Sequence, residues 1–192
     1  MLLECLDYPI DSATIMKKRR SLKRQLIASN HPTLSINIAI LGGSTTHDIK
    51  QILELFLLNN GIKPSFYESE YGQYWQDAMF ENSELNTFKP DIIYIHTSNC
   101  NLLNYPSINN SEQEICDMMN EDFMRFESMW DALIKKYQCP IIQNNFEMPK
   151  YRLLGNKDAS DCHGRINYIT RLNTMFYEFA QKNDSFFIND IK

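Results

Sequence analysis

A serine follows two glycines directly after a short apolar segment. Residues 36–41 are rich in β-branched side chains and predict a strand, which Gly42 and Gly43 end. Glycines allow a tight turn, and a helix that starts just after Ser44 would point free N–H groups at an anion or an oxyanion. The pattern fits a nucleophilic serine. It also fits an ordinary helix N-cap by Ser44 or Thr45, which spacing alone favours.

Two asparagines and another glycine lie in loops that follow later predicted strands. Asn99 and Asn101 come after the third strand, and Gly72 comes after the second. An asparagine amide can stabilise a developing oxyanion, although an Asx turn is the commoner use of such a residue. Gly72 could supply a further backbone N–H. The glycines match neither the dinucleotide-binding pattern nor the Walker pattern, so nucleotide binding has no support.

A serine nucleophile needs a base within hydrogen-bond reach. His47 lies only three residues past Ser44 and points around the helix, which makes it a poor base. His163, which Asp158 or Asp161 could orient, is a candidate base or metal ligand, but a single loop histidine is most often solvated. No H-x-x-H pair, C-x-x-C pair or carboxylate cluster indicates a metal, so we expect no metal and no cofactor.

Strands and helices alternate along the chain in a way that would bring these loops together. Strands are predicted at 36–41, 65–68, 91–96, 140–144 and 185–190, with helices at 11–29, after Gly43, after Ser111 and before the last strand. Alternation of this kind predicts a three-layer αβα fold with a parallel sheet of about five strands. We expect the flavodoxin-like order 2-1-3-4-5, with Ser44 at the carboxyl end of a central strand.

Composition narrows the class of protein. The chain has 192 residues, 43% of them hydrophobic, which suits one folded domain with a short appendage. Its net charge of -5 argues against nucleic acid as the main partner. No apolar run is long enough to span a bilayer, and the first residues do not form a signal peptide. Five scattered cysteines without a pairing pattern favour the cytoplasm.

The chain divides into two parts. Residues 1–33 read as a basic helix and lead-in, and residues 34–192 as the α/β domain. The helix contains the charge run Lys17–Arg20, which is either a docking patch for an acidic partner or simply a solvated face. Asn30 to Pro32 should end this helix, because a residue that precedes proline avoids the helical conformation.

The loops resemble conserved blocks of the SGNH (GDSL-type) hydrolases. LGGST after the first strand, a glycine in the next loop and TSNC after the third strand are similar to blocks I, II and III. The resemblance implies that Ser44 is the nucleophile and that Gly72 and Asn99 contribute to an oxyanion site. GGST stands where GDSL is usual, and SNC stands where the family has G-x-N-D.

A closer resemblance extends over nearly the whole chain. LDYPIDSATIMKKRRSLKRQL, INIAILGGSTTHDI, EYGQYWQDAM, LLGN and RLN are similar to the N-terminal SGNH-like domain of FkbH-like proteins. Those proteins carry a C-terminal HAD-type phosphatase domain. They are linked to loading a glyceryl unit from a phosphoglycerate onto an acyl carrier protein, or to surface-polysaccharide pathways. The phosphatase motif D-x-D-x-T is absent from this sequence.

In SGNH hydrolases the catalytic D-x-x-H block follows the fifth strand. Here only Ile191 and Lys192 follow FFIND, and Ser160 stands three residues before His163 where an aspartate would be required. We therefore expect the family's catalytic Asp and His to lie outside this chain, with no complete active site within it.

Three hypotheses remain open from the sequence. The first is a domain of an FkbH-like protein that acts in glyceryl transfer or phosphatase-linked biosynthesis, with an acyl carrier protein and a HAD domain as partners. The second is a small esterase or acyltransferase that uses Ser44 with His163 as an unusual base. The third is a docking module for a carrier protein, without membrane or nucleic-acid partners.

Overall fold

A single parallel sheet forms the centre of the molecule. The computed structural model describes residues 4–29 and 34–191, and in these residues five strands pair in the order β2-β1-β3-β4-β5. The strands are β1 (Leu34–Gly42), β2 (Ile62–Glu68), β3 (Ile92–His96), β4 (Ile141–Asn144) and β5 (Phe186–Asn189). All four pairings are parallel. The predicted α/β class, strand count and strand order are confirmed.

Six α-helices connect or flank these strands in the described residues. They are α1 (Ser12–Ser29), α2 (His47–Asn59), α3 (Tyr74–Met79), α4 (Ser83–Phe88), α5 (Glu112–Tyr137) and α6 (Arg165–Lys182). The short helices α3 and α4, between β2 and β3, were not predicted. The predicted helix terminator at residues 30–32 lies outside the described residues.

Helix α5 supplies the largest part of the core. Its apolar residues recur every three or four positions, and Ile115, Phe126 and Trp130 are almost completely buried against the sheet and α6. The helix begins with a capping box between Ser111 and Glu114. Burial of each large apolar side chain contributes about 1.5–3 kcal/mol relative to exposure. The stripe is therefore structural.

The basic helix α1 packs on α2 rather than on the sheet. Its apolar side contributes Ile15, Leu22 and Leu26, which form a separate buried cluster with Leu55 and Leu58 of α2. The opposite side of α1 carries its exposed charges. None of the helices in residues 4–29 and 34–191 has the length and apolarity that a membrane crossing requires.

Strand register sets the loops side by side. Gly42, the last residue of β1, pairs with His96, the last residue of β3. The backbone N–H of Gly43 then donates to the carbonyl of His96 over 2.8 Å. The turn that contains Ser44 and the loop that contains Asn99 therefore leave the same edge of the sheet next to each other.

Candidate functional site

The turn between β1 and α2 is fixed by its backbone. The Gly42 N–H donates to the Ser69 hydroxyl over 2.8 Å, in addition to the bond from Gly43 to His96. A Cβ atom at position 42 would lie 2.9 Å from the Ser44 carbonyl oxygen, so only glycine fits there without a shift. Ser44 is half-buried, and its hydroxyl has no hydrogen-bond partner among the described residues. The turn thus presents a serine that plays no part in holding the turn together.

Helix α2 begins two residues later than an N-cap at Ser44 would require, and one residue later than an N-cap at Thr45 would require. Its N-cap is Thr46, and no side chain caps the first turn. The prediction that Ser44 or Thr45 caps the helix is therefore wrong. The Thr46 hydroxyl instead donates to Glu68 at the end of β2 over 2.7 Å. The turn is longer than expected, and the start of α2 keeps backbone N–H groups that no side chain satisfies.

Glu68 ties the start of α2 to β2. Its carboxylate accepts from Thr46 and from Lys50, which also forms an ion pair with it. Burial on its own would raise the pKa of Glu68, but the hydrogen bonds from Lys50 and then Thr46 outweigh it, and the pKa is lowered. The carboxylate is therefore charged at neutral pH and holds both partners by charge-assisted hydrogen bonds.

Gly72 lies directly against the Ser44 turn. Its N–H donates to the Gly42 carbonyl over 3.2 Å, and its φ of +74° is one that glycine adopts readily. The bond brings the loop after β2 to the turn after β1. It also uses the N–H that an oxyanion would need, so this group is engaged within the protein.

Of the two candidate asparagines, Asn101 contacts the turn. Its amide nitrogen donates to the Gly43 carbonyl over 3.0 Å, and its amide oxygen accepts from the Ser98 N–H over 2.8 Å. The Asn99 amide nitrogen instead donates to the Glu147 carbonyl over 3.2 Å. A short 3-10 turn, Asn99–Asn101, separates the two side chains. Residue spacing alone could not distinguish them, and the oxyanion role of Asn99 stays a prediction.

Glu147, in the loop after β4, is part of this edge and was not singled out from the sequence. Its carboxylate oxygens accept from the Asn99 N–H over 3.2 and 3.3 Å. The charge of Glu147 also affects the pKa of His96, whose ring forms a hydrogen bond with the Tyr94 hydroxyl over 2.9 Å. Burial lowers the pKa of His96, and the charge of Glu147 opposes this shift. The only sequence signal for Glu147 is its place after a predicted strand.

A fully buried polar network links the ends of β3 and β4. The Thr97 N–H donates to the Asn144 amide oxygen over 2.7 Å, and the Asn144 amide nitrogen donates back to the Thr97 carbonyl over 2.6 Å. Gln143 donates to the Thr97 hydroxyl over 3.0 Å and accepts from the Trp130 indole over 3.2 Å. Satisfied buried networks of this kind fix a unique arrangement of the chain. The loops that carry Asn99 and Glu147 therefore start from a rigid base.

His163 is held by partners other than Ser44. Its Nδ1 lies 2.7 Å from the Asp161 carboxylate, and its Nε2 lies 2.9 Å from the Asn110 carbonyl oxygen. Both partners are acceptors, so both ring nitrogens serve as donors. The hydrogen bond to Asp161, followed by the one to Asn110, raises the pKa of His163. In this arrangement the ring has no free lone pair with which to take a proton from a serine.

Fold and site together define an α/β domain with a serine on the first strand-to-helix turn, flanked by a glycine loop and an asparagine loop. A family model described as FkbH, N-terminal domain, matches residues 37–192. The chain belongs to this family, and the predicted resemblance to FkbH-like proteins is confirmed. A search of curated proteins finds no significant match.

A search of solved structures finds chains that are similar to this one. The N-terminal part of a Bacteroides fragilis protein containing a phosphatase domain, in complex with Mg, gives a TM-score of 0.71 at 22% identity over 90% of this chain. This chain spans only 45% of that chain. A GDSL-like lipase from Bacteroides thetaiotaomicron gives a TM-score of 0.41 at 13% identity. That match covers 90% of this chain and 77% of the lipase chain. The first comparison shows a common fold.

Proposed function

We propose that this domain holds a carrier-bound glyceryl or acyl group within an FkbH-type protein and does not hydrolyse it. In the whole protein it would work beside a C-terminal HAD-type phosphatase domain, in glyceryl transfer to an acyl carrier protein or related biosynthesis in the cytoplasm. Family membership supports this assignment, and the related Bacteroides fragilis protein does contain a phosphatase domain.

The observation that carries the proposal is the state of Ser44. Backbone hydrogen bonds hold the turn that contains Ser44, yet the Ser44 hydroxyl has no hydrogen-bond partner among the described residues. The candidate base, His163, uses both ring nitrogens elsewhere. A serine hydroxyl is a weak nucleophile without a positioned base, but it remains a good hydrogen-bond donor and acceptor for a ligand. The site therefore fits binding better than acyl transfer to Ser44.

Hydrolysis of p-nitrophenyl acetate separates this proposal from a working esterase. We expect this chain, Ser44→Ala and His163→Ala to give the same rate, close to that of buffer. Loss of a complete triad lowers turnover by several orders of magnitude. Turnover well above background that both substitutions abolish would overturn the proposal and establish an enzyme that uses Ser44 and His163.

Ligand binding gives the positive test. A carrier protein that bears a glyceryl or acyl group should bind this chain more tightly than the same carrier without the group. Ser44→Ala should reduce that difference by about 1 kcal/mol, the value of one hydrogen bond. Equal affinity for loaded and unloaded carrier would argue against the proposed site.

Helix α1 provides the docking surface that we propose for the carrier protein. Lys17, Lys18, Arg20 and Arg24 are exposed on its outer side. Arg19 and Lys23, in contrast, form ion pairs with acidic residues of α2. The pairs engage these two cations, whereas the four exposed cations are directed at solvent. Such a surface attracts an acidic partner at a rate that falls with salt.

Charge reversal tests this surface. Lys17→Glu combined with Arg20→Glu should weaken carrier binding about tenfold or more and flatten its salt dependence. Lys135→Glu combined with Lys182→Glu, at the exposed ends of α5 and α6, is the matched control because it makes the same change of charge away from α1. Equal loss of affinity in both variants would indicate a general charge effect and no docking site on α1.

A further inference from the structure

Three consecutive residues in the loop before α6 direct a carboxylate, a thiol and an imidazole to one point. The ligand atoms of Asp161, Cys162 and His163 all lie within 4.8 Å of one another, and each residue is half-buried. The His163 Nδ1 is 2.7 Å from the Asp161 carboxylate and 3.4 Å from the Cys162 sulfur. Imidazole nitrogen, sulfur and carboxylate oxygen are the three donor types that Zn²⁺ takes in proteins.

Two of the three ligand-atom separations can be compared with those of a tetrahedral zinc site, and the third, from the Cys162 sulfur to the Asp161 carboxylate, lies within 4.8 Å. Bonds of about 2.0 Å to nitrogen and about 2.3 Å to sulfur place these two ligands about 3.5 Å apart. The Nδ1 to sulfur distance of 3.4 Å already matches this value. The Nδ1 to oxygen distance would have to open to about 3.3 Å. This change requires a rotation of the half-exposed Asp161 side chain, whose Oδ1 also accepts from the His163 backbone N–H over 3.0 Å.

The partner of the second ring nitrogen sets the tautomer that a metal requires. The Asn110 carbonyl can only accept, so the hydrogen bond at 2.9 Å keeps a proton on Nε2 of His163. Binding of Zn²⁺ would displace the proton that Nδ1 donates to Asp161 in the metal-free chain, and the ring would then offer the Nδ1 lone pair to the metal beside Asp161 and Cys162. Metal-bound histidines in proteins commonly donate their other N–H to a carbonyl in this way.

The loop is also anchored before any ligand arrives. Asp158 is fully buried, and its carboxylate accepts from the backbone of Leu154 over 3.1 Å and of Ile166 over 2.9 Å. Its carbonyl accepts from Asn167 at the start of α6 over 3.1 Å. A loop fixed at both ends loses little conformational entropy when its side chains bind a ligand.

We propose that Asp161, Cys162 and His163 form a binding site for Zn²⁺. Three protein ligands leave the fourth tetrahedral position open to water or to a small ligand, which is the composition of catalytic zinc sites. The site shares His163 with the candidate catalytic residues but uses neither Ser44 nor α1, so Co²⁺ binding tests it separately from carrier binding. Sequence spacing did not reveal it because the three ligands are adjacent and match no spaced metal motif.

Co²⁺ titration of the purified chain tests the site, since Co²⁺ substitutes for Zn²⁺ and reports its ligands by absorption. We expect one equivalent to bind with a thiolate charge-transfer band, and we expect Zn²⁺ to remove that band. Cys162→Ser should abolish the band. Asp161→Asn and His163→Gln should weaken Co²⁺ binding at least tenfold, with unchanged circular dichroism.

Cys100→Ser is the matched control because Cys100 is an exposed thiol outside the cluster. The control should keep the band and the affinity. In a second measurement, Zn²⁺ should slow alkylation of Cys162 but leave alkylation of Cys100 unchanged. Absence of a band in the unmodified chain, a band that survives in Cys162→Ser, or a band lost in Cys100→Ser would overturn the proposal.

Discussion

Replacement of Gly43 by alanine should destabilise the Ser44 turn through a single neighbour. A Cβ atom at position 43 would lie 2.5 Å from the side-chain amide oxygen of Asn101 and 2.7 Å from the side-chain amide carbon Cγ. Gly43 has no positive φ, so the backbone itself tolerates alanine. The methyl group must therefore displace the Asn101 side chain and break the hydrogen bonds that this side chain makes.

The cost follows from those bonds. Asn101 donates to the Gly43 carbonyl over 3.0 Å and accepts from the Ser98 N–H over 2.8 Å. The Ser98 hydroxyl also donates to the same amide oxygen over 3.3 Å, but this half-exposed hydroxyl can turn to water, so the first two bonds set the cost. At about 1 kcal/mol for each bond, their loss costs about 2 kcal/mol. Alanine also lowers the conformational entropy of the unfolded chain relative to glycine, which stabilises the folded state by about 0.5 kcal/mol. We expect Gly43→Ala to cost about 1.5 kcal/mol and Asn101→Ala about 2 kcal/mol.

The double variant is the decisive measurement. Once Asn101 is alanine, the methyl group at position 43 meets no amide, so the pair should cost about 1.5 kcal/mol rather than the sum of about 3.5 kcal/mol. Urea unfolding at constant m-value measures all three costs. Asn99→Ala serves as the control partner, because its amide bonds the Glu147 carbonyl, and its cost should add to that of Gly43→Ala. Additive costs for the Gly43 and Asn101 pair would refute the reasoning.

Two further predictions concern the frame around the site. Gly164→Ala should cost about 3 kcal/mol in urea unfolding, because its Cβ would lie 1.9 Å from the Asp158 carbonyl oxygen, which the backbone fixes. Gly155→Ala is the control, because a Cβ atom there would meet nothing within 4 Å. It should cost only the strain of a φ of +56°, about 1 kcal/mol. Equal costs for Gly164→Ala and Gly155→Ala would contradict the steric argument. Glu68→Gln should destabilise the chain at pH 7, because the folded-state pKa of Glu68 is lowered. The stabilisation that the Glu68 carboxylate contributes is fully present above the ordinary pKa of 4.5 and is lost as the pH falls through the folded-state pKa. The urea midpoints of the unmodified chain and of Glu68→Gln should therefore converge in acid. A difference between the midpoints that stays constant with pH would contradict this.

The strand order could be predicted because it depends on features that repeat along the chain. Alternation of β-branched segments with amphipathic helices leaves few parallel topologies open. Helices α3 and α4 escaped prediction because six residues are too few to show a helical period. The start of α2 was misplaced because the Thr46 hydroxyl bonds Glu68, which is distant in sequence, instead of the first helical turn.

The site was less predictable because its contacts depend on local turns. Asn99 and Asn101 differ by two positions in sequence, and only the 3-10 turn between them decides which amide reaches Gly43. His163 has a carboxylate two residues earlier, as the sequence suggested, but its second nitrogen bonds Asn110, which lies 53 residues away. No periodic or motif signal reports a contact of that kind.

Because groups other than the Ser44 hydroxyl hold the turn, substitution of Ser44 can test function without disturbing the fold. The turn is held by bonds from Gly42, Gly43 and Asn101, and the Ser44 hydroxyl contributes none of them. Ser44→Ala should therefore change stability by less than about 0.5 kcal/mol, as surface substitutions without partners do. Any loss of ligand binding in this variant would then report a contact between the hydroxyl and the ligand. A large loss of stability would instead show that the hydroxyl has a structural partner, and binding data from the variant would not bear on function.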